Sequence, residues 1–173
     1  MTRLAKLSGR HNNRLTPSLW RRPLRALPHV FLVSDAERLP DPGPLLSHLP
    51  RGACVILRHV DSNALATLAQ RIVPQAHRLG LSVLLSGDVR LALRTGADGV
   101  HLSEQSARRA HLRIGLAKPG FLITAAAHDR LALWRALNAG AQAVLLSPVF
   151  ATASHPGAAP LGLRRFLALA RLS

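Results

Sequence analysis

The sequence predicts an α/β fold: a barrel of stacked βα units, incomplete, with about six units present. Three observations predict it. From His29 onward, short apolar strands alternate with longer helical segments. The ends of those segments carry matched stop and start signals, with Asp61 or Ser62, Asp88 and Asp129 where N-caps belong and Gly80, Gly96 and Gly140 where a helix must end. One joint occurs twice, as T-G-A-D-G-V at Thr95–Val100 and A-G-A-Q-A-V at Ala139–Val144. Each is a helix stop feeding directly into a strand, the mark of a repeated unit.

Taken in order, residues 1–28 carry seven basic residues and no acidic one, and their apolar residues follow no sustained period. They predict a flexible basic arm, leaving 29–173 as the barrel domain. Nucleic-acid binding by the arm is a weak reading, because Trp20 is its only aromatic residue for stacking on bases. An arginine-rich, acid-free start also has the composition of an organellar transit peptide. Strands are expected at His29–Ser34, Ala53–Arg58, Ser82–Gly87, Asp98–Ser103, Leu122–Ala127 and Ala143–Val149. Helices are expected at Pro44–Leu49, Asn63–Leu79, Val89–Thr95, Ser106–Ala117, Arg130–Ala139 and Leu163–Leu172, with Pro74 kinking the second.

Composition bounds the function. A chain of 173 residues with 48% hydrophobic content can bury one real core. The net charge of +15 attracts polyanions of any kind, a phosphorylated metabolite as well as nucleic acid. The single cysteine, Cys54, lies within the apolar run A-C-V-I-L; it excludes a disulfide framework and favours a reducing, cytoplasmic setting. No apolar run approaches the roughly 18 residues that span a bilayer, so no membrane partner is expected. The sequence holds no Cys/His cluster at metal-ligand spacing, no Gly-x-Ser-x-Gly elbow and no P-loop.

Chemistry concentrates at Ala143–Leu161, where an apolar strand breaks into a loop of small hydroxyl residues, Gly and Pro. Ser147, Thr152, Ser154 and His155 stand at the strand's exit, and such a loop can offer N–H and O–H donors to a phosphate without steric obstruction. An ordinary surface loop has a similar composition.

Two segments, GADGVHLSEQ at Gly96–Gln105 and SPVFATASHPGAAPLGL at Ser147–Leu163, resemble the thiamine-phosphate synthase/TenI superfamily. There the first reads G-A-D-G-V-H-L-G-Q-E-D, and the second G-P-V-F-x-T-x-[TS]-[KH]-P-G followed by P-L-G-L. The resemblance runs from His29 to the C-terminus and implies a TIM barrel in thiamine metabolism. Such a protein either joins a pyrimidine diphosphate to a thiazole phosphate or isomerises the thiazole. Carried onto this chain, the resemblance makes Thr152 and Ser154 thiazole-phosphate contacts, with His155 in the place of a frequent Lys. Arg58 becomes a diphosphate clamp and His128 the acid/base group of a TenI-like thiazole tautomerase.

The departures bear on which activity is expected. The family's Arg-x-Lys becomes Arg58 followed by His59 and Val60. Its Asn-Asp, with the Asp on magnesium, becomes Ser86–Gly87, leaving Asp88 adjacent but out of register. Ser106 replaces the second magnesium carboxylate, and Ala126 replaces a diphosphate-binding Ser. No magnesium or other cofactor is therefore expected, and the tautomerase is favoured over a diverged synthase or a non-catalytic binding paralogue. A His at position 128 could instead cap the following helix, and His101, alternating with Val100 and Leu102, reads as a hydrogen-bonded core residue. A full barrel needs about 250 residues. A chain ending after its sixth unit is expected to come from a truncated gene or a degenerate paralogue, or to pair its open sheet edges by homo-oligomerisation.

Overall fold

The computed structural model describes residues 5–6, 27–59, 61–109, 119–152, 157 and 159–172, and the βα alternation is present throughout them. Strand β1 (Ala5–Lys6) is followed by β2 (Phe31–Val33), a 3-10 helix over Gly43–His48, and β3 (Cys54–Leu57). Then come α1 (Ser62–Arg78), β4 (Ser82–Ser86), α2 (Val89–Thr95), β5 (Gly99–Leu102) and α3 (Glu104–Arg109). The chain ends on β6 (Leu122–Ala127), α4 (Arg130–Asn138), β7 (Ala143–Leu146) and α5 (Gly162–Ala170). It divides into two compact units: Ala26–His101, and Leu102–Ser173 together with the N-terminal segment.

In the unit Ala26–His101, β2, β3, β4 and β5 pair in sequence order, all parallel, with Phe31 opposite Cys54, Cys54 opposite Ser82 and Leu84 opposite Gly99. All four residues of β3 are buried. A strand covered on both faces has no solvent side, which is why it reads Cys-Val-Ile-Leu rather than alternating with polar residues. Helix α1 packs on β3 and β4 through Leu65, Leu68, Ala69, Ile72, Val73 and Ala76, the three-and-four spacing of one helical face. Its N-cap is Asp61, whose carboxylate accepts the Ala64 N–H at 2.7 Å. Pro74 lies on the exposed side, and the helix continues past it to Arg78.

In the second unit β6 and β7 are parallel, with Thr124 opposite Ala143. Strand β1 runs antiparallel to β7, with Ala5 opposite Val144 and Lys6 opposite Ala143, so the outer edge of β7 has a partner. Two residues of the expected arm thus belong to a sheet, and Pro28 is already buried. The rest of that arm, residues 1–4 and 7–26, lies outside the described residues, as do residues 110–117 of the expected fourth helix.

The joint that occurs twice in the sequence is a latch. In the first copy Gly96 takes the left-handed conformation at φ 74°, the Ala97 N–H returns to the Ala92 carbonyl, and the Asp98 N–H bonds the Val83 carbonyl at 2.8 Å. The Asp98 side chain then accepts the Val83 N–H at 2.8 Å, closing both backbone groups of a residue on the preceding strand. In the second copy Gly140 has φ 84°, the Gln142 N–H bonds the Ile123 carbonyl at 2.8 Å, and the Gln142 side chain accepts the Ile123 N–H at 2.6 Å. Asp and Gln therefore fill one role in the two copies. Each satisfies a backbone pair that the start of a strand would otherwise leave open.

Among the described residues, no helix is long and apolar enough to cross a membrane.

Candidate functional site

Among the described residues, Arg58, His128 and Ser147 stand at the C-terminal ends of parallel strands, where barrel proteins carry their chemistry. In the second unit, His128 directly follows β6 and Ser147 directly follows β7. The His128 Nδ1 lies 2.5 Å from the Ser147 carbonyl oxygen. A carbonyl only accepts, so Nδ1 carries the hydrogen and the lone pair of the neutral ring is at Nε2. The ring is half-buried. The capping role falls to Asp129, whose carboxylate accepts the Ala132 N–H at 2.7 Å, so His128 is not the cap of α4.

The strand β7 stops at Leu146 because Pro148 has no N–H to continue the ladder. Its loop is closed at the base by two backbone bonds, Leu161 N–H to the Pro148 carbonyl at 2.8 Å and Gly162 N–H to the Val149 carbonyl at 3.0 Å. Thr152 lies exposed on this loop, and α5 begins immediately after the closure with no side-chain cap. Ser154 and His155 lie outside the described residues.

In the other unit, Arg58 follows β3. Its backbone N–H donates to the buried Ser34 hydroxyl at 2.9 Å, which ties the exit of β2 to that of β3. The Arg58 guanidinium lies 3.6 Å from Asp35, and Arg38 lies 3.2 Å from the same carboxylate oxygen. The Arg38 side chain, together with the Arg38 and Glu37 backbone N–H groups, holds the Asp35 carboxyl down at about 2. His101 pairs with Ser86 across β4 and β5 and is only 8% exposed. Burial, and then the charge of Arg58, lowers its pKa to about 4, so the ring is neutral. Asp35 and Arg38 were not singled out by sequence. The only signal for them is Asp and Arg three residues apart beyond an apolar strand, a common surface pattern.

The positions where the family carries magnesium ligands do not fit the ion. Gly87 has no side chain and takes φ 73°. The Ser106 hydroxyl is bonded to that of Ser103 at 2.9 Å, and neutral hydroxyls are poor substitutes for carboxylates. Asp88 is the N-cap of α2, accepting the Leu91 N–H at 2.8 Å. Ala126, in place of the diphosphate-binding Ser, lies within β6, and Val60 is outside the described residues.

Six βα repeats with candidate groups at the strand exits define an α/β protein of the TIM-barrel type. A thiamine phosphate pyrophosphorylase from Pyrococcus furiosus shares this fold, with a TM-score of 0.63 over 84% of this chain and 71% of that one at 19% identity. The thiamine monophosphate synthase family model matches residues 45–173, and the chain belongs to that family. A relative from Aquifex aeolicus is 30% identical over 143 residues, covering 80% of this chain and 76% of its own length. Proteins named thiamine-phosphate synthase from Gloeobacter violaceus and Chromobacterium violaceum are 33% and 37% identical, over 79% and 65% of this chain. The chain spans 38% and 57% of the length of these two synthases.

Proposed function

We propose that the protein recognises a phosphorylated thiazole of thiamine biosynthesis and acts on it as a thiazole tautomerase, with His128 as the acid/base group. The observation that carries this reading is the bond from His128 Nδ1 to the Ser147 carbonyl. It fixes the tautomer that leaves Nε2 basic, and the carbonyl stabilises the imidazolium that forms when Nε2 takes a proton. The same Nε2–H then returns a proton to the second ring position, so the step needs no co-reactant and no net charge change. Ser147, Thr152, Ser154 and His155 hold the phosphate, supported by the hydroxyl-rich loop pinned at its base beside the exit of β7.

Synthase chemistry is the less supported activity. Expelling diphosphate requires stabilising charge on the leaving group. At the family's positions stand Gly87, Ser106, Val60 and Ala126, and Asp88, next to Gly87 in sequence, already caps a helix. Losing one such preorganised contact typically costs about 10²–10³ in rate. A cytoplasmic setting goes with this reading, supported by the buried free Cys54.

The test is a tautomerase assay beside a coupled synthase assay with both phosphorylated substrates, with and without magnesium. His128→Ala should lower tautomerase turnover by about 10²–10⁴. Turnover unchanged in that variant removes His128 from the mechanism, and magnesium-dependent thiamine phosphate formation at an ordinary synthase rate overturns the tautomerase assignment.

A further inference from the structure

In a helix that covers a barrel, the face turned away from the strands meets water and is expected to be polar. Helix α4 breaks that pattern. It packs on β6 and β7 through Ala132, Leu133 and Ala136. Its opposite face carries Leu131 and Trp134, three residues apart and so neighbours on the helix surface, at 52% and 60% exposure. Arg130 and Arg135 flank the pair on either side, Arg130 exposed and Arg135 half-buried. Helix α3 packs against α4 and adds the exposed Arg108. No carboxylate lies on α4 itself, and Asp129, just before it, is taken up as its cap. The outward position of this pair distinguishes it from the exposed Leu163 of α5, which stands three residues before the buried Phe166 and borders that helix's packed face.

We propose that the outer face of α4 seats the protein on an anionic lipid surface, with Leu131 and Trp134 entering the headgroup boundary and Arg108, Arg130 and Arg135 meeting lipid phosphates. Charge complementarity points to an anionic partner. A second copy seated on this face about a twofold axis would bring the arginines of the rim against those of its mate, and each chain carries +15. Size then separates a bilayer from a protein. A stable protein interface takes about 800 Å² from each partner around an apolar centre, more than one Leu and one Trp supply. A bilayer surface is fluid and adapts to a small apolar island. Tryptophan settles at the headgroup level, where its ring is in an apolar setting and its N–H is wet. Each arginine beside an anionic leaflet adds attraction. Lying on a bilayer needs no spanning segment.

This goes beyond the tautomerase reading and does not depend on it, since none of these side chains is assigned to the His128 site. The chain has two tryptophans, Trp20 and Trp134, so Trp20→Phe leaves Trp134 as the sole indole reporter in the full chain. Vesicles of phosphatidylcholine mixed with phosphatidylglycerol should shift its emission to the blue and carry the protein down on sedimentation. Vesicles of phosphatidylcholine alone should do neither. In sedimentation, Leu131→Ser, and separately the pair Arg130→Gln with Arg135→Gln, should weaken partitioning about tenfold. Leu93→Ser, at an exposed leucine on α2, should partition like its parent, and thermal melts check that every variant is folded. Failure to bind the anionic vesicles overturns the proposal. Sedimentation with Trp134 emission unshifted does so too, since charge on another surface would then hold the vesicle. An equal shift on neutral vesicles, or an equal loss in Leu93→Ser, has the same consequence. A blue shift that grows with protein concentration in the absence of vesicles would assign the face to a second copy, and one produced by an RNA oligonucleotide would assign it to polyanions at large; either result overturns the lipid assignment.

Discussion

A neutral imidazole is the stable form of His101 well below neutral pH, because the ring is 8% exposed and lies within reach of the Arg58 charge. In the unfolded chain the same group titrates near 6.5, against about 4 in the fold. Between those two values the unfolded chain holds a proton that the folded chain does not, so stability is full above about pH 6.5 and falls as the pH drops toward 4. The displacement is worth about 3 kcal/mol at most. Urea unfolding of the wild type and His101→Gln between pH 4 and 7 measures it, and the variant should have a flatter acid limb. An acid limb equally steep in both would assign the loss to other groups. At this scale the sequence is read best where chemistry is local. Asp129 is legible as a cap, and that removes the capping role from His128. The Ser147 carbonyl on His128 is 19 residues away, and no local pattern marks it. The same holds for Asp35 and Arg58, which meet only because β2 and β3 are neighbours.

Helix starts are legible to a residue because an aspartate marks each of three: Asp61, Asp88 and Asp129 all accept the N–H three positions on, at 2.7–2.8 Å. Replacing Asp129 by Ala should cost about 1 kcal/mol, read from the urea midpoint; no change would mean that α4 is held by packing alone. Strand ends are read too long, as Ala143–Val149 for Ala143–Leu146, because apolar character continues where pairing cannot and Pro148 offers no N–H. The segment read as a helix at Pro44–Leu49 is a 3-10 helix over Gly43–His48, consistent with Pro42, Gly43 and Pro44 at its start and with its short length. In α1 the exposed Pro74 is accommodated at the loss of one helical hydrogen bond. Pro74→Ala should therefore stabilise the protein, by about 1–3 kcal/mol before the added freedom of the unfolded chain is counted. A destabilised variant would mean that the helix bends there to fit its neighbours.

Across the whole molecule, acidic residues are kept almost solely where the backbone needs an acceptor. Of the eight, Asp35, Asp41, Asp61, Asp88, Asp98 and Asp129 each take at least one backbone N–H. Helices α1 to α5 meanwhile carry ten arginines and one carboxylate, Glu104. The repeated joint follows the same rule: Asp98 and Gln142 share one latch because the requirement is an acceptor and not a charge. The fold is therefore organised by local acceptors and apolar faces, both of which the sequence displays, while +15 of net charge is left without compensation. Such a surface repels itself, and repulsion between exposed charges is screened over a distance that shrinks from about 10 Å at 0.1 M salt to about 3 Å at 1 M. Raising sodium chloride from about 0.05 to 0.5 M should then raise the urea midpoint, the opposite of what a surface dominated by ion pairs would do. Multivalent anions should act at lower concentration than chloride, since each engages more than one arginine. A midpoint that falls with salt would mean that the pairs of Asp35 with Arg38 and Arg58, and of Asp41 with Arg71 at 2.9 Å, outweigh the repulsion of the helices.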